Sequence, residues 1–338
     1  MKKLISLICV LAMVLALAAC GSSAPAAATE APAASTEAPA EDVSADKTFV
    51  VGICQLVQHP ALDAATQGFK DALTEALGDK VTFQEQNASG DSATCSLICN
   101  QFVSDEVDLI MANATASIQA AASATNTIPI LGTSITDYGV ALGVDNWTGV
   151  SGTNISGTSD LAPLDGQAAM IQELFPDAKT IGLLYCSGEP NSIFQADSME
   201  ALLTDMGYSV ERYTFADSND VSSVTANACS NADVLYIPTD NTAASCTEAI
   251  NNVALSAGIP IVAGEEGLAS GCGVATLSIS YYDLGRATGE MAAEILTEGA
   301  DISTMEVRFA PAFTKEYNAD ICEALNINVP EDYVAIAK

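Results

Sequence analysis

From Phe49 onward the apolar positions fall into short runs of strand length, separated by amphipathic stretches of helical length. The first strands are expected at 49–56, 81–86, 108–112 and 128–131, with helices at 61–77, 92–104 and 117–124 between them. In 61–77 the side chains of Leu62, Phe69, Leu73, Ala76 and Leu77 share one face, with Lys70, Asp71 and Glu75 elsewhere, the period of a helix half-buried in a core. Pro60 suits its first turn and Gly78 its end. The pattern lapses over 137–159, a stretch rich in Gly, Thr, Ser and Asn. It resumes with strands at 180–185, 209–215, 234–238, 260–263 and 274–277, and helices at 167–174, 192–206, 221–229, 242–257 and 265–271. Strand–helix alternation predicts βαβ units and parallel sheets. Two such series make the fold class α/β, two Rossmann-like lobes, with a helix at 283–297 and a strand at 305–309 returning across the hinge. Gly264 and Gly267 lack the partners of a GxGxxG fingerprint, so no dinucleotide and no other cofactor is expected.

The N-terminus reads differently. Lys2 and Lys3 precede a run from 4 to 19 that is apolar apart from Ser6, the form of a secretory signal. It ends in Leu17-Ala18-Ala19-Cys20, which resembles the lipobox of bacterial lipoproteins. That resemblance implies cleavage before Cys20 and lipidation of its thiol and new amino group. Residues 21–47 are mostly Ala, Pro, Ser, Thr and Glu, with Thr29-Glu30-Ala31-Pro32 nearly repeated as Thr36-Glu37-Ala38-Pro39. Such a segment buries too little to order itself and serves as an extended spacer. The expected organisation is therefore a signal peptide at 1–19 and a lipidated Cys20 with its linker at 20–47. An N-terminal lobe of 48–158 plus 281–302 and a C-terminal lobe of 159–280 plus 303–338 follow. The location is extracytoplasmic, anchored to the cell membrane through Cys20.

The formal net charge of −32 argues against nucleic acid or anionic lipid as a partner, since both need Lys and Arg to replace counterions. Of ten cysteines, eight lie beyond Cys20, scattered and accompanied by a single histidine. No zinc pattern results. Cys95 and Cys99 would share a helix face without a third ligand, so no metal site is expected, and disulfide pairing is not readable. Nor does any nucleophile–base or paired-carboxylate spacing stand out around His59 or elsewhere. Binding rather than catalysis is the expectation.

Ligands of open parallel sheets gather beyond the carboxyl ends of the strands. Here those ends carry Gln58, Asn113, Thr115, Ser134, Glu189, Asn191, Asp240, Asn241 and Glu265. Loop and helix-start N–H groups beside Asn113, Thr115 and Ser134 suit a carboxylate. Asp240, with Glu189 as second candidate, suits an ammonium. A small zwitterion is the economical ligand. Taken singly, Asn113, Ser134, Asn191 and Asp240 read more readily as helix caps than as ligand contacts, and a residue can serve as both; Trp147 either lines the cleft or packs the hinge.

The ordered runs Gln58-His59-Pro60-Ala61-Leu62-Asp63, Thr133-Ser134-Ile135-Thr136-Asp137, Ile155-Ser156-Gly157-Thr158-Ser159-Asp160, Tyr185 with Glu189-Pro190-Asn191-Ser192, Pro238 with Asp240-Asn241, and Tyr281-Tyr282-Asp283-Leu284-Gly285-Arg286-Ala287-Thr288-Gly289 resemble a family of bacterial ABC-transporter substrate-binding lipoproteins that bind tryptophan or tyrosine. The resemblance runs from about Phe49 to the C-terminus. It implies a type I periplasmic-binding fold with three crossovers, an aromatic amino acid clasped between lobes, delivery to an ABC permease, and a monomer. Tyr281 and Trp147 become candidates to meet the ring. Tyr138 stands where the family usually has proline. A surface adhesin or sensor on the same fold is the alternative function.

Overall fold

The structure, a computed structural model, describes residues 47–337. The signal, Cys20 and nearly all of the linker lie outside the described residues. Strands β1 (Phe49–Gln55), β2 (Val81–Asn87), β3 (Leu109–Asn113), β4 (Ile130–Ile135) and β5 (Ile155–Ser159) form a first sheet. Strands β6 (Thr180–Cys186), β7 (Ser209–Phe215), β8 (Val234–Ile237), β9 (Ile261–Ala263) and β10 (Ala275–Ser278) form a second. The two-residue β11 (Arg308–Phe309) then returns to the first sheet, and β12 (Thr314–Tyr317) and β13 (Val334–Ala335) complete the second. The strand orders are β11-β5-β4-β3-β1-β2 and β13-β12-β10-β9-β8-β6-β7. All pairings are parallel except that of β10 with β12.

Around the first sheet pack α1 (Pro60–Leu77), α2 (Ser92–Ser104), α3 (Thr115–Ala124) and the short α4 (Tyr138–Leu142). Around the second lie α5 (Leu164–Leu174), α6 (Pro190–Asp205), α7 (Val221–Cys229), α8 (Asn241–Ala244), α9 (Thr247–Ala257) and α10 (Glu266–Gly271). Helix α11 (Tyr281–Glu298) crosses back onto α1, and α12 (Ala319–Leu325) closes the second lobe. Val51 and Ile53 of β1 meet Phe69 and Leu73 of α1 on one face of the first sheet. Cys54 meets Cys95, Ile98 and Phe102 of α2 on the other. Each large apolar side chain buried there contributes about 1.5–3 kcal/mol. Cys54, Cys95 and Cys99 are free and fully buried, with the first two sulfurs each 3.6 Å from Ser117 Oγ.

Helices α1 and α11 touch backbone to backbone. A Cβ on Gly285 would lie 1.9 Å from the Ala65 carbonyl oxygen, and one on Gly68 2.0 Å from that of Tyr282. Glycine at both positions is what allows α11 to seat so closely.

Three differences from the sequence pattern matter. Residues 155–159, inside the stretch expected to be irregular, form β5, a fully buried strand of Ser, Thr and Gly after its leading Ile155. Its hydroxyls are paired: Ser156 Oγ donates to the Met305 carbonyl, Thr158 Oγ1 lies 2.9 Å from Thr288 Oγ1, and Ser159 Oγ donates to the Thr136 carbonyl. Hydrogen bonding makes that burial tolerable. Second, Arg308–Phe309 pairs with β5. The first sheet therefore reclaims the chain as far as 309, and 303–309 does not join the C-terminal lobe as the boundary at 302 required. Third, the helix expected over 242–257 breaks at Ser245 and Cys246 into α8 and α9. The three crossovers run from β5 to α5, from β10 to α11 and from β11 to β12.

Candidate functional site

Between the carboxyl ends of the two sheets lies a closed chamber, lined by His59, Leu62, Ser134, Thr136, Asp160 and Tyr281 on one side and by Asn191, Thr239, Asp240, Asn241, Ala244 and Glu265 on the other. The space left inside is ≈ 10 Å³, about room for one water. An outer cleft of ≈ 480 Å³ adjoins it and shares Asn191 and Asn241 as lining. Contacts cross between the lobes: His59 Nε2 is 3.3 Å from Asn241 Oδ1, and Gln195 Nε2 donates to Thr136 Oγ1 at 3.4 Å. The lobes are shut on each other.

The two walls differ in chemistry. On the second lobe every acid is already solvated by the protein. Asp240 caps α8, accepting from Ala243 N at 2.8 Å through Oδ1 and from Cys186 N at 2.6 Å through Oδ2. Glu189 accepts from the backbone and side-chain donors of Asn241 and Thr242. Glu265 caps α10 with both oxygens, on Gly267 N and Leu268 N. Burial and the adjacent Glu189 push the Asp240 carboxyl up, and burial pushes Glu265 up to about 7.

On the first lobe α2 and α4 are capped by Asp91 and Asp137, but two helix starts are bare. His59 precedes α1 and Ala114 precedes α3, neither giving a side-chain cap, which leaves first-turn N–H groups for another acceptor. Three buried polar atoms of the chamber lining on this side lack partners, His59 Nδ1, Ser134 Oγ and Asp160 Oδ1, as does Asn113 Oδ1 outside the lining. The other oxygen of Asp160 accepts from Tyr281 OH at 2.9 Å. Burial lowers His59 and raises Asp160 from their ordinary values. None of the lining residues is Lys or Arg.

The sequence candidates divide accordingly. Ser134, Asn191, Asp240, Asn241, Glu265 and Tyr281 reach the chamber, and Glu189 lines the outer cleft. Gln58 does not: it is exposed at the end of its loop, and its neighbour His59 turns inward. Asn113 is buried but holds β3 to α1 by donating to Leu62 O and Thr66 Oγ1. Thr115 is buried at the first position of α3, outside the chamber lining. Trp147 stacks on Tyr138 with ring centroids 5.8 Å apart and packs the first-lobe core, away from the chamber. His59, Leu62, Thr136 and Asp160 were not among the candidates. Asp160 follows the polar strand that alternation misses, and its position after a strand was the available signal.

The family model described as ABC transporter substrate binding protein matches residues 50–338. This chain belongs to that family. Substrate-binding proteins of ABC transporters work outside the cytoplasm, and among the described residues no helix is long and apolar enough to cross a membrane. A curated relative, the tyrosine-binding protein of Clostridioides difficile (strain R20291), is 38% identical over 280 residues, covering 82% of this chain and 81% of the relative. Among solved structures, an ABC domain in complex with L-Trp from Streptococcus pneumoniae is 31% identical, with a TM-score of 0.80 over 84% of this chain and 97% of that one. A ligand-free, open substrate-binding protein with adhesive properties from Clostridium difficile is 37% identical, covering 86% and 99%, with a TM-score of 0.66. The family member's fold is the type I periplasmic-binding fold. Its shape lies nearer the L-Trp complex than the open structure although the identities run the other way, as the shut lobes require. Among the described residues no group of three His, Cys, Asp or Glu side chains is placed to hold a metal ion.

Proposed function

We propose that this substrate-binding protein captures an aromatic amino acid, tyrosine or tryptophan, as a zwitterion between its lobes and presents it to a membrane permease. It acts as a monomer and without catalysis. The observation that carries the reading is the unpartnered Asp160 Oδ1 facing a chamber whose other acids are already satisfied. Asp160 thus takes the role of ammonium acceptor that the sequence pattern gave to Asp240. The bare start of α1, with Ser134, suits the carboxylate. The ring extends toward the outer cleft, where Leu56, Val57, Ala116 and Pro190 provide apolar wall. With so little space inside the shut chamber, entry needs the lobes to part and closure follows on the ligand. The ligands named for the relatives support the aromatic class. Small molecules released by denaturing protein purified from rich medium should contain tyrosine or tryptophan in near-equimolar amount by mass spectrometry. Recovery of a ligand without an α-amino group would overturn the reading.

The anchor belongs to the same proposal. Cys20 carries the lipid, so a Cys20→Ala protein should be shed or stay unprocessed; full membrane retention, with no lipid label on the natural protein, would refute it. Adhesion is a second role, favoured by the adhesive properties of the 37% identical relative. Binding of the purified protein to epithelial cell layers, compared with and without bound amino acid, tests it.

A further inference from the structure

We infer that the closed chamber exchanges a proton for its ligand's cationic nitrogen: ligand-free, Asp160 carries a proton, and an arriving ammonium displaces it to solvent. The inference rests on the chamber being the amino-acid site proposed above. Asp160 is 5% exposed, at the end of β5, with one oxygen on Tyr281 OH and the other unpartnered in the shut space. Its neighbours supply no positive charge. From α11 it faces the Tyr281 phenol, from the loop after β4 the Thr136 hydroxyl, and from α4 the Tyr138 phenol. From the opposite lobe it faces Glu265, itself next to Glu266. Asp240, with Glu189 of the outer cleft behind it, and a His59 held toward its neutral form by burial are the remaining titratable groups around it.

An ionised carboxylate buried without a cation or enough donors is costly, and such a group takes up a proton instead. Both oxygens of Asp240, of Glu189 and of Glu265 accept N–H or O–H donors, whereas Asp160 has the Tyr281 hydroxyl on one oxygen and no hydrogen-bond partner on the other. The upward push of burial on Asp160 agrees with this geometry. The exchange balances: a neutral carboxyl and an ammonium become a carboxylate–ammonium pair and a free proton. The sign follows from linkage. The ligand-free site holds a proton that the loaded site does not, so affinity rises with pH above the ordinary Asp value and levels off once the ligand-free carboxyl ionises.

The test is titration calorimetry of L-tyrosine and L-tryptophan into the mature protein at about pH 5.5, above the ordinary Asp value near 3.9, in buffers of different ionisation enthalpy. Net proton release on loading is expected, with affinity rising by at most about tenfold per pH unit. Difference infrared spectra should show loss of a protonated-carboxyl band on loading, and Asp160→Asn should lack that band change. Tight binding with no proton released, or with a band change that survives in Asp160→Asn, overturns the exchange and leaves the amino-acid site standing. Failure of both amino acids to bind overturns the site and the exchange together.

Discussion

Asp160→Asn is expected to weaken tyrosine or tryptophan binding by roughly thirty- to several-thousand-fold, the effect of about 2–5 kcal/mol when one partner of a buried charge pair is removed. The ligand-free fold should be as stable as the natural protein or slightly more so. Asparagine keeps an acceptor for Tyr281 OH and removes a carboxyl that burial disfavours. Asp240→Asn should behave in the opposite way. Asparagine can still cap α8 through one oxygen, but its amide would face the Cys186 N–H that now donates to Oδ2. Two donors then meet in a buried place, which costs about 1–3 kcal/mol of stability. Calorimetric titration beside thermal unfolding of both variants separates the roles. Asp160→Asn with unchanged affinity, and Asp240→Asn with lost affinity but an intact melting temperature, would return the ammonium to Asp240.

The second large effect is on stability. Gly285→Ala places a methyl group 1.9 Å from the Ala65 carbonyl oxygen, with backbone rather than a movable side chain in the way. Overpacking usually costs 1–3 kcal/mol, and with no rotamer able to yield, about 3 kcal/mol or more is expected here. In a chain of this size that corresponds to a melting temperature lower by on the order of 6–12 °C. Ligand affinity should fall as well, since a displaced α11 carries Tyr281 away from Asp160. Gly299→Ala is the control: its Cβ meets nothing, and its φ of +68° costs about 1 kcal/mol. Urea unfolding of the two proteins compares them directly. Equal losses would mean that α1 and α11 do not need their close approach.

Most of the scaffold was legible because strands of a parallel sheet covered on both faces read as apolar runs. Residues 109–113 are buried throughout and are apolar up to Asn113, and α1 shows its inward stripe. What alternation misses is burial achieved by hydroxyl pairing. In β5, Ser156, Thr158 and Ser159 look like loop residues until Met305, Thr288 and Thr136 are seen opposite them. Losing that strand also hid Asp160, which follows it. That Gln58 stays outside the chamber, and that Trp147 packs the core rather than the cleft, has a different cause. Sequence position places a residue at a strand end or in a crossover, but the turn decides which neighbour faces inward, so His59 enters and Gln58 does not. Tyr138, the departure from the family's proline, fixes Trp147 by stacking. The break between α8 and α9 lacks Gly or Pro to announce it.

The hydrogen bond from Tyr281 to Asp160 joins the first crossover to the start of the helix that follows the second. Points close to a rotation axis travel least. If Asp160 holds the ligand's ammonium as proposed, the charged head is met by a part of the protein that hardly shifts as the lobes swing, whereas Asp91 and Asp217 on facing sides of the outer cleft sweep the longest arc. Head-group recognition then precedes inspection of the side chain. On that proposal, a molecule with the right ammonium and the wrong ring would be seized at the pivot and rejected at the rim, by failure of the jaws to meet.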